Sequence, residues 1–411
     1  MKHKNKQVEN LHGYWWLENQ QNSLSKIIFH LILRISIHLP ASTKHDFLTF
    51  IETLALFISR LTNIFSIYRL PLYEYEGIEK KSNKKINILI SADKESSDYF
   101  QNLVGKNMKL KNDFGNLSLF KILKIIKENK NYDMAILKTD IFYQKYLNHH
   151  KYLTLPEYVS FNFSQKSSVN NILTSFSQEI IDELNKDNRS ETTYEISTKL
   201  NDFIMFYNKM YLPYVTWKHH SNAKIVTFSS ILFLYHQGGK ILFIKEKNEI
   251  IFAGLFLERK NTIKTYYAAF MQDKFEYLKK GVTARSYYYI LKYALKNNKL
   301  SIDFGTARPF INDGLFKYKS KWGMKLQLSP PGISQIYSLK FKNNSVSVRN
   351  FLSSNPFIFL EKKNLIGIYF IDKKNKNSLH KKTHSNNLKG LSDIRFTSPR
   401  DFLYWHIVRK Q

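Results

Sequence analysis

No cysteine occurs anywhere in the 411 residues. That excludes disulfides, thiolate zinc sites and cysteine nucleophiles, and it leaves the redox compartment open. Negative charge is scarce as well: 33 Asp and Glu stand against 63 Lys and Arg, a net charge of +30. Such a field attracts polyanions, whether nucleic acid, an anionic membrane or a phosphorylated substrate. A biased supply of Lys, Asn and Ile codons would give the same excess with no partner at all. No uncharged run is long enough to span a bilayer. The apolar run KIIFHLILRISIHLP (26–40) is broken by His30, Arg34 and His38, and no small-residue cleavage site follows it. These absences point to the cytoplasm. Phosphate-loop, Gly-x-Ser-x-Gly and paired-Cys motifs are missing, as are repeats at solenoid periods. The 13 histidines show no metal spacing beyond the pairs at 149–150 and 219–220, so no metal is expected.

What is present is ample apolar material, 43% hydrophobic and 15% aromatic, in a chain long enough for two or three domains. Residues 24–39 and 46–68 read as helices. The first carries Lys26, His30, Arg34 and His38 as one basic stripe, which suits an interfacial membrane helix or a core helix with a narrow solvent face. KINILISA (85–92) and YDMAILK (132–138) read as strands around the helix LSLFKILKIIKEN (117–129), an α/β alternation. From 197 the order is regular. A helix ends before Pro213, and a second runs to a Gly stop. Three strands (KILFIKEKN, IIFAGLFLERKN, TIKTYYAAFMQD) form an antiparallel meander. Then come a helix at 283–298, the strand LSIDFGTA, the helix DGLFKYKSKWG and the strand MKLQLS. Beyond 340 lie a hairpin at 356–373 and a lysine-rich tail; residues 340–411 hold 15 Lys and Arg against 4 Asp and Glu. The expected division is a helical section 1–75, a first domain 76–160, a second domain 161–340 and the tail 341–411.

The stretch IDFGTARPFINDGLFKYKSKWG (302–323) sets Asp303, Phe304 and Gly305 at a strand end, then Gly314, the pair Tyr318–Lys319, and Trp322–Gly323. This resembles the signature that closes the catalytic domain in the FemAB-like branch of the acyl-coenzyme A N-acyltransferase (GNAT) fold. FYNKMYLPY (206–214) and IIFAGLFLE (250–258) are similar to that branch's helix and strand motifs, and the likeness covers about 155–335. It implies an α/β protein of tandem GNAT-like domains, with mixed, largely antiparallel sheets flanked by helices. The implied activity is acyl or aminoacyl transfer to an amine, small or lipid-linked, of a cell-surface, cell-wall or polysaccharide precursor. The donor would be acyl-CoA or aminoacyl-tRNA. The usual coenzyme A loop is absent, since QDKFEYLKKGVTARS (272–286) holds only Gly281. A protein of the same fold that holds tRNA or an anionic membrane without catalysis is the alternative.

Acyl transfer needs a deprotonated amine, a polarised carbonyl and a held donor. Asp303, at a strand end, fits a group that orients or deprotonates an amine, and equally an acid that caps the following turn. Arg308, held extended before Pro309, suits a carboxylate or phosphate. Lys319 is the motif lysine for an anionic donor or acceptor. These three are expected to converge. Asp313 and Gly314 open a helix, where Asp313 fits an N-cap. Gly281, Thr283 and Arg285 start another helix, whose free N–H groups suit a phosphate. Tyr267, on the strand before it, joins the donor-binding candidates, and Trp322 reads as core.

Overall fold

The computed structural model describes residues 69–164, 174–185, 192–220, 225–328, 335–371 and 388–407. The helices expected at 24–39 and 46–68, and most of the low-complexity tail, lie outside the described residues. Among these residues the strands, in chain order, are β1 (Leu70–Glu79), β2 (Lys85–Ser91), β3 (Gly105–Leu117), β4 (Met134–Asp140), β5 (Leu153–Pro156), β6 (Val159–Ser164), β7 (Thr192–Ser197) and β8 (Gly239–Glu246). They continue with β9 (Glu249–Glu258), β10 (Thr262–Phe270), β11 (Ser301–Ala307), β12 (Lys325–Leu328), β13 (Gln335–Phe341), β14 (Phe357–Glu361), β15 (Asn364–Phe370) and β16 (Asp393–Thr397). The fold is mixed α/β, its sheets largely antiparallel. No helix among the described residues is long and apolar enough to cross a membrane.

Contacts divide the described chain into a split unit, 69–161 with 306–407, and an inserted unit, 162–305. The chain thus changes unit inside β6 and again inside β11. This differs from the expected second domain at 161–340, because β13 belongs elsewhere. It pairs with β4 from Gln335↔Asp140 to Phe341↔Met134, and on its other side with β5. A strand's own pattern tells which face is apolar but not which distant strand it will join. The first domain also begins before residue 76, since β1 starts at Leu70 and pairs with both β2 and β3.

The split unit holds a six-stranded sheet in the order β3-β1-β2-β4-β13-β5, with β2 and β4 parallel. Those two are buried on both faces, which is why they read as continuous apolar runs. One face sets Ile86, Ile88, Ile90, Met134, Ile136 and Leu339 against Phe100, Phe351 and the rings of the small sheet β14-β15-β16. The other face packs Leu89, Ala135 and Leu137 on Leu119, Ile122 and Ile126 of the helix Leu119–Glu128.

In the inserted unit, β11-β10-β9-β8-β7 are consecutive neighbours, antiparallel except for the parallel pair β10/β11. The β8–β9 hairpin turns on Lys247 and Asn248, both left-handed (φ 48° and 67°), the conformation that matches a two-residue turn to strand twist. The expected series of helix, helix, three strands, helix and strand is present in this unit. One end point differs. The helix from Leu200 does not stop before Pro213; it widens into a π-turn at Phe206–Tyr211 and resumes over Leu212–His219. Proline removes one donor and needs room against the preceding turn, and a π-turn supplies both the altered bonding and the room.

Candidate functional site

The parallel pair β10/β11 keeps register for three positions, Thr262↔Ser301, Ile263↔Ile302 and Lys264↔Asp303. β10 then carries on to Phe270 against β9, through a bulge between Thr265 and Tyr267. Local chemistry turns β11 away. The Asp303 Oδ1 accepts the Gly305 N–H at 2.8 Å, and Gly305 takes φ +77°, a bend that any side chain would strain. The Thr265 hydroxyl donates to the Asp303 carbonyl at 3.3 Å where the ladder ends. The turn-capping role expected as one reading of Asp303 is therefore realised, at the point where two parallel strands part.

Tyr267 follows the bulge, a feature that re-aims side chains and is frequent beside active sites. Burial, then the neighbouring Tyr211 and Tyr266, push its hydroxyl above the ordinary tyrosine range. Its ring lies 5.5 Å from Tyr211, the last residue of the π-turn. The Tyr211 hydroxyl accepts the Val226 N–H at 3.1 Å, and the Lys209 carbonyl in the same π-turn accepts the Gln272 N–H at 3.0 Å. Tyr211 and Thr265 were not among the residues singled out from the sequence. The signal available for Tyr211 was a proline placed two residues later inside a helical pattern.

The helix Val282–Lys296 begins at Gly281 with φ +75°, where a Cβ would also meet the Glu183 side chain at 3.0 Å. The positive φ favours glycine there, and the Glu183 side chain would have to shift slightly to admit any other residue. The Thr283 carbonyl accepts the Ser286 hydroxyl at 2.7 Å. Arg285 is buried and donates to the Thr192 hydroxyl of β7; burial holds its guanidinium below the usual range. Tyr287 stacks on Phe304 at 4.6 Å with the rings 5° from parallel, fastening this helix to β11.

The remaining candidates belong to the split unit. Arg308 is buried and meets Glu157 at 3.3 Å and Glu95 at 3.0 Å, so its expected carboxylate partners are supplied by the protein itself. Lys319 is only 4% exposed, its ammonium donating to the Thr306 carbonyl at 3.0 Å and lying over the Phe161 ring. Asp313 is an N-cap, its Oδ1 accepting from the N–H groups of Leu315 and Phe316 at 2.9 and 3.1 Å. A Cβ on Gly314 would meet nothing within 4 Å, so no crowding requires glycine there. Trp322 is core. Asp303, Tyr267 and Gly281 thus share the inserted unit, while Arg308 and Lys319 serve the split unit. Among the described residues no group of three His, Asp or Glu could hold a metal ion.

The strand order of the inserted unit and its parting parallel pair are those expected from the sequence for a GNAT-like sheet. No family model matches the chain, and no curated protein does. Among solved structures the chain is similar to FemX, at 11% identity and TM-score 0.35, covering 64% of this chain and 83% of that one. It is also similar to L-PGS from Bacillus licheniformis, at 11% identity and TM-score 0.33, covering 70% and 89%. A tandem GNAT protein from the clavulanic acid biosynthesis pathway is 5% identical with TM-score 0.26, covering 65% and 82%. At these identities no side-chain role transfers from one protein to another.

Proposed function

We propose that the chain is an N-acyltransferase that moves an acyl or aminoacyl group from a thioester or tRNA ester to an amine. The observation that carries this reading is the parting of β10 and β11 after Lys264 and Asp303. A parallel pair that opens inside a sheet leaves backbone donors on the continuing strand, and such donors can polarise a carbonyl laid between the strands. The amine attacks that carbonyl, the tetrahedral oxyanion is held by the backbone of β10, and the thiol or ribose hydroxyl leaves with a proton. Asp303, at the fork, orients the amine or takes its proton. Tyr267 lines the continuing strand. The helix start at Gly281 and Thr283 takes an anionic part of the donor through free N–H groups and the helix dipole. An amine on a cell-surface, cell-wall or polysaccharide precursor is the acceptor class that the motif resemblance suggests.

The test is donor consumption by the full chain, using labelled acyl-CoA and labelled aminoacyl-tRNA pools offered with primary amines. Asp303→Asn keeps an oxygen to accept the Gly305 N–H but loses the charge. It is expected to lower turnover about 100-fold, the scale of a lost acid–base group, with little change in melting temperature. Full activity in Asp303→Asn would reduce Asp303 to a turn residue. Donor untouched in both pools would favour the non-catalytic reading, in which the fold binds tRNA or an anionic surface.

A further inference from the structure

Two helices of the split unit bring exposed rings together among lysines, and the turn that leads into the second helix carries a further exposed ring. Phe120 on the helix Leu119–Glu128 is 55% exposed, Phe142 on the turn after β4 is 66% exposed, and Tyr146 on the helix Gln144–His149 is 37% exposed. Phe120 and Tyr146 touch at 6.0 Å, which makes the two helices one surface, and Tyr146 packs on His150 at 4.5 Å. Cations crowd this end of the sheet. The Lys340 ammonium donates to the His150 carbonyl and that of Lys342 to the Lys127 carbonyl, each at 3.4 Å. Burial, then the charges of Lys342, Lys151 and Lys127, hold the Lys340 ammonium below its usual range. Burial, then His149, Lys340 and Lys127, do the same for His150. These cations repel one another, and an anion brought to this surface would relieve that repulsion.

We propose that this face seats the protein on an anionic lipid surface, with Phe120, Phe142 and Tyr146 entering the headgroup layer while the lysines meet lipid phosphates. Large apolar side chains held in water and ringed by cations suit an interface that is apolar within and anionic at its rim. Two of the three exposed rings are phenylalanines, which carry no hydrogen-bonding group and gain by entering an apolar layer, and this favours a lipid surface as the occupant. The proposal is independent of the acyl-transfer reading, since docking requires no turnover.

The experiment is co-sedimentation of the full chain with vesicles of phosphatidylcholine alone or mixed with phosphatidylglycerol, at low and moderate salt. Binding is expected only to the anionic vesicles and should weaken as salt screens the lysines. The double substitution Phe120→Ser with Phe142→Ser should weaken it by at least about tenfold, because two inserting rings are lost. Lys124→Glu with Lys127→Glu should weaken it as well. All four side chains are exposed, and an unchanged melting temperature verifies the fold of each variant. Vesicle binding equal to that of the parent in the Phe variant would overturn the proposal. So would variants that keep vesicle binding but lose a single-stranded RNA oligonucleotide, which would mark the face as a nucleic-acid surface.

Discussion

Arg308 is held from several sides within its unit. Its guanidinium lies over the rings of Tyr158 at 4.4 Å and Tyr99 at 5.0 Å, donates to the Tyr337 hydroxyl, and pairs with Glu157 and Glu95. Lys138 completes the cluster at 2.7 Å from Glu157 and 2.6 Å from Asp93. Burial alone would lower the Arg308 pKa, but the tyrosines and carboxylates raise it above the usual range, so the charge is kept. Such a residue is more a keystone than a ligand hook. Arg308→Ala leaves the buried Glu157 with Lys138 and the Tyr337 hydroxyl but without the guanidinium, and is expected to cost about 3–5 kcal/mol in urea unfolding of the full chain. A loss below about 1 kcal/mol, the range of an exposed pair, would show that the cluster is not structural and would return Arg308 to ligand binding.

At the scale of elements, one carboxylate ties β8, β9 and the helix Val282–Lys296 together. Glu258 meets Lys240 at 2.7 Å, Lys299 at 2.6 Å and the Tyr293 hydroxyl at 2.7 Å. Burial alone would raise its pKa, but the bonds from Lys240, Lys299 and Tyr293 lower it from 4.5 to about 2. A carboxyl that is a stronger acid in the folded state stabilises that state at pH values above its unfolded pKa. This contribution is fully present above about 4.5 and is lost as pH falls toward 2. Glu258→Gln should therefore melt lower than the parent at neutral pH, and the gap should close across that window. Melting curves that stay equally far apart from neutral pH down to pH 2 would remove Glu258 from the linkage.

At the scale of the molecule, the split unit depends on residues from both sides of the insertion. β13 lies between β4 and β5, and Phe310, Phe351 and Phe357 lie in the same core as Ile88 and Phe100. A chain ending at Gly305 would leave β4 and β5 without their shared neighbour and open that core. It is expected to aggregate or to show residues 69–161 cleaved rapidly in limited proteolysis. Protection of 69–161 equal to that in the full chain would show that this part folds without its second half.

Local pattern alone determined a good deal here. Alternating and continuous apolar runs marked β2, β4 and the β8–β10 meander. Asp313 before a helix marked a cap, and the aromatic Trp322 marked core. These features depend on neighbours within a few residues, whose spacing is written directly in the chain. Tertiary structure decided the rest. Arg308 met Glu157 across 151 residues, Lys319 was drawn inward to the Thr306 carbonyl, and β13 was assigned to the split unit. A charged side chain announces that it needs a partner but not which one. A strand announces its apolar face but not its neighbour. Those choices follow from which distant surfaces can be buried together with every polar group satisfied, and only the folded chain brings such surfaces into contact.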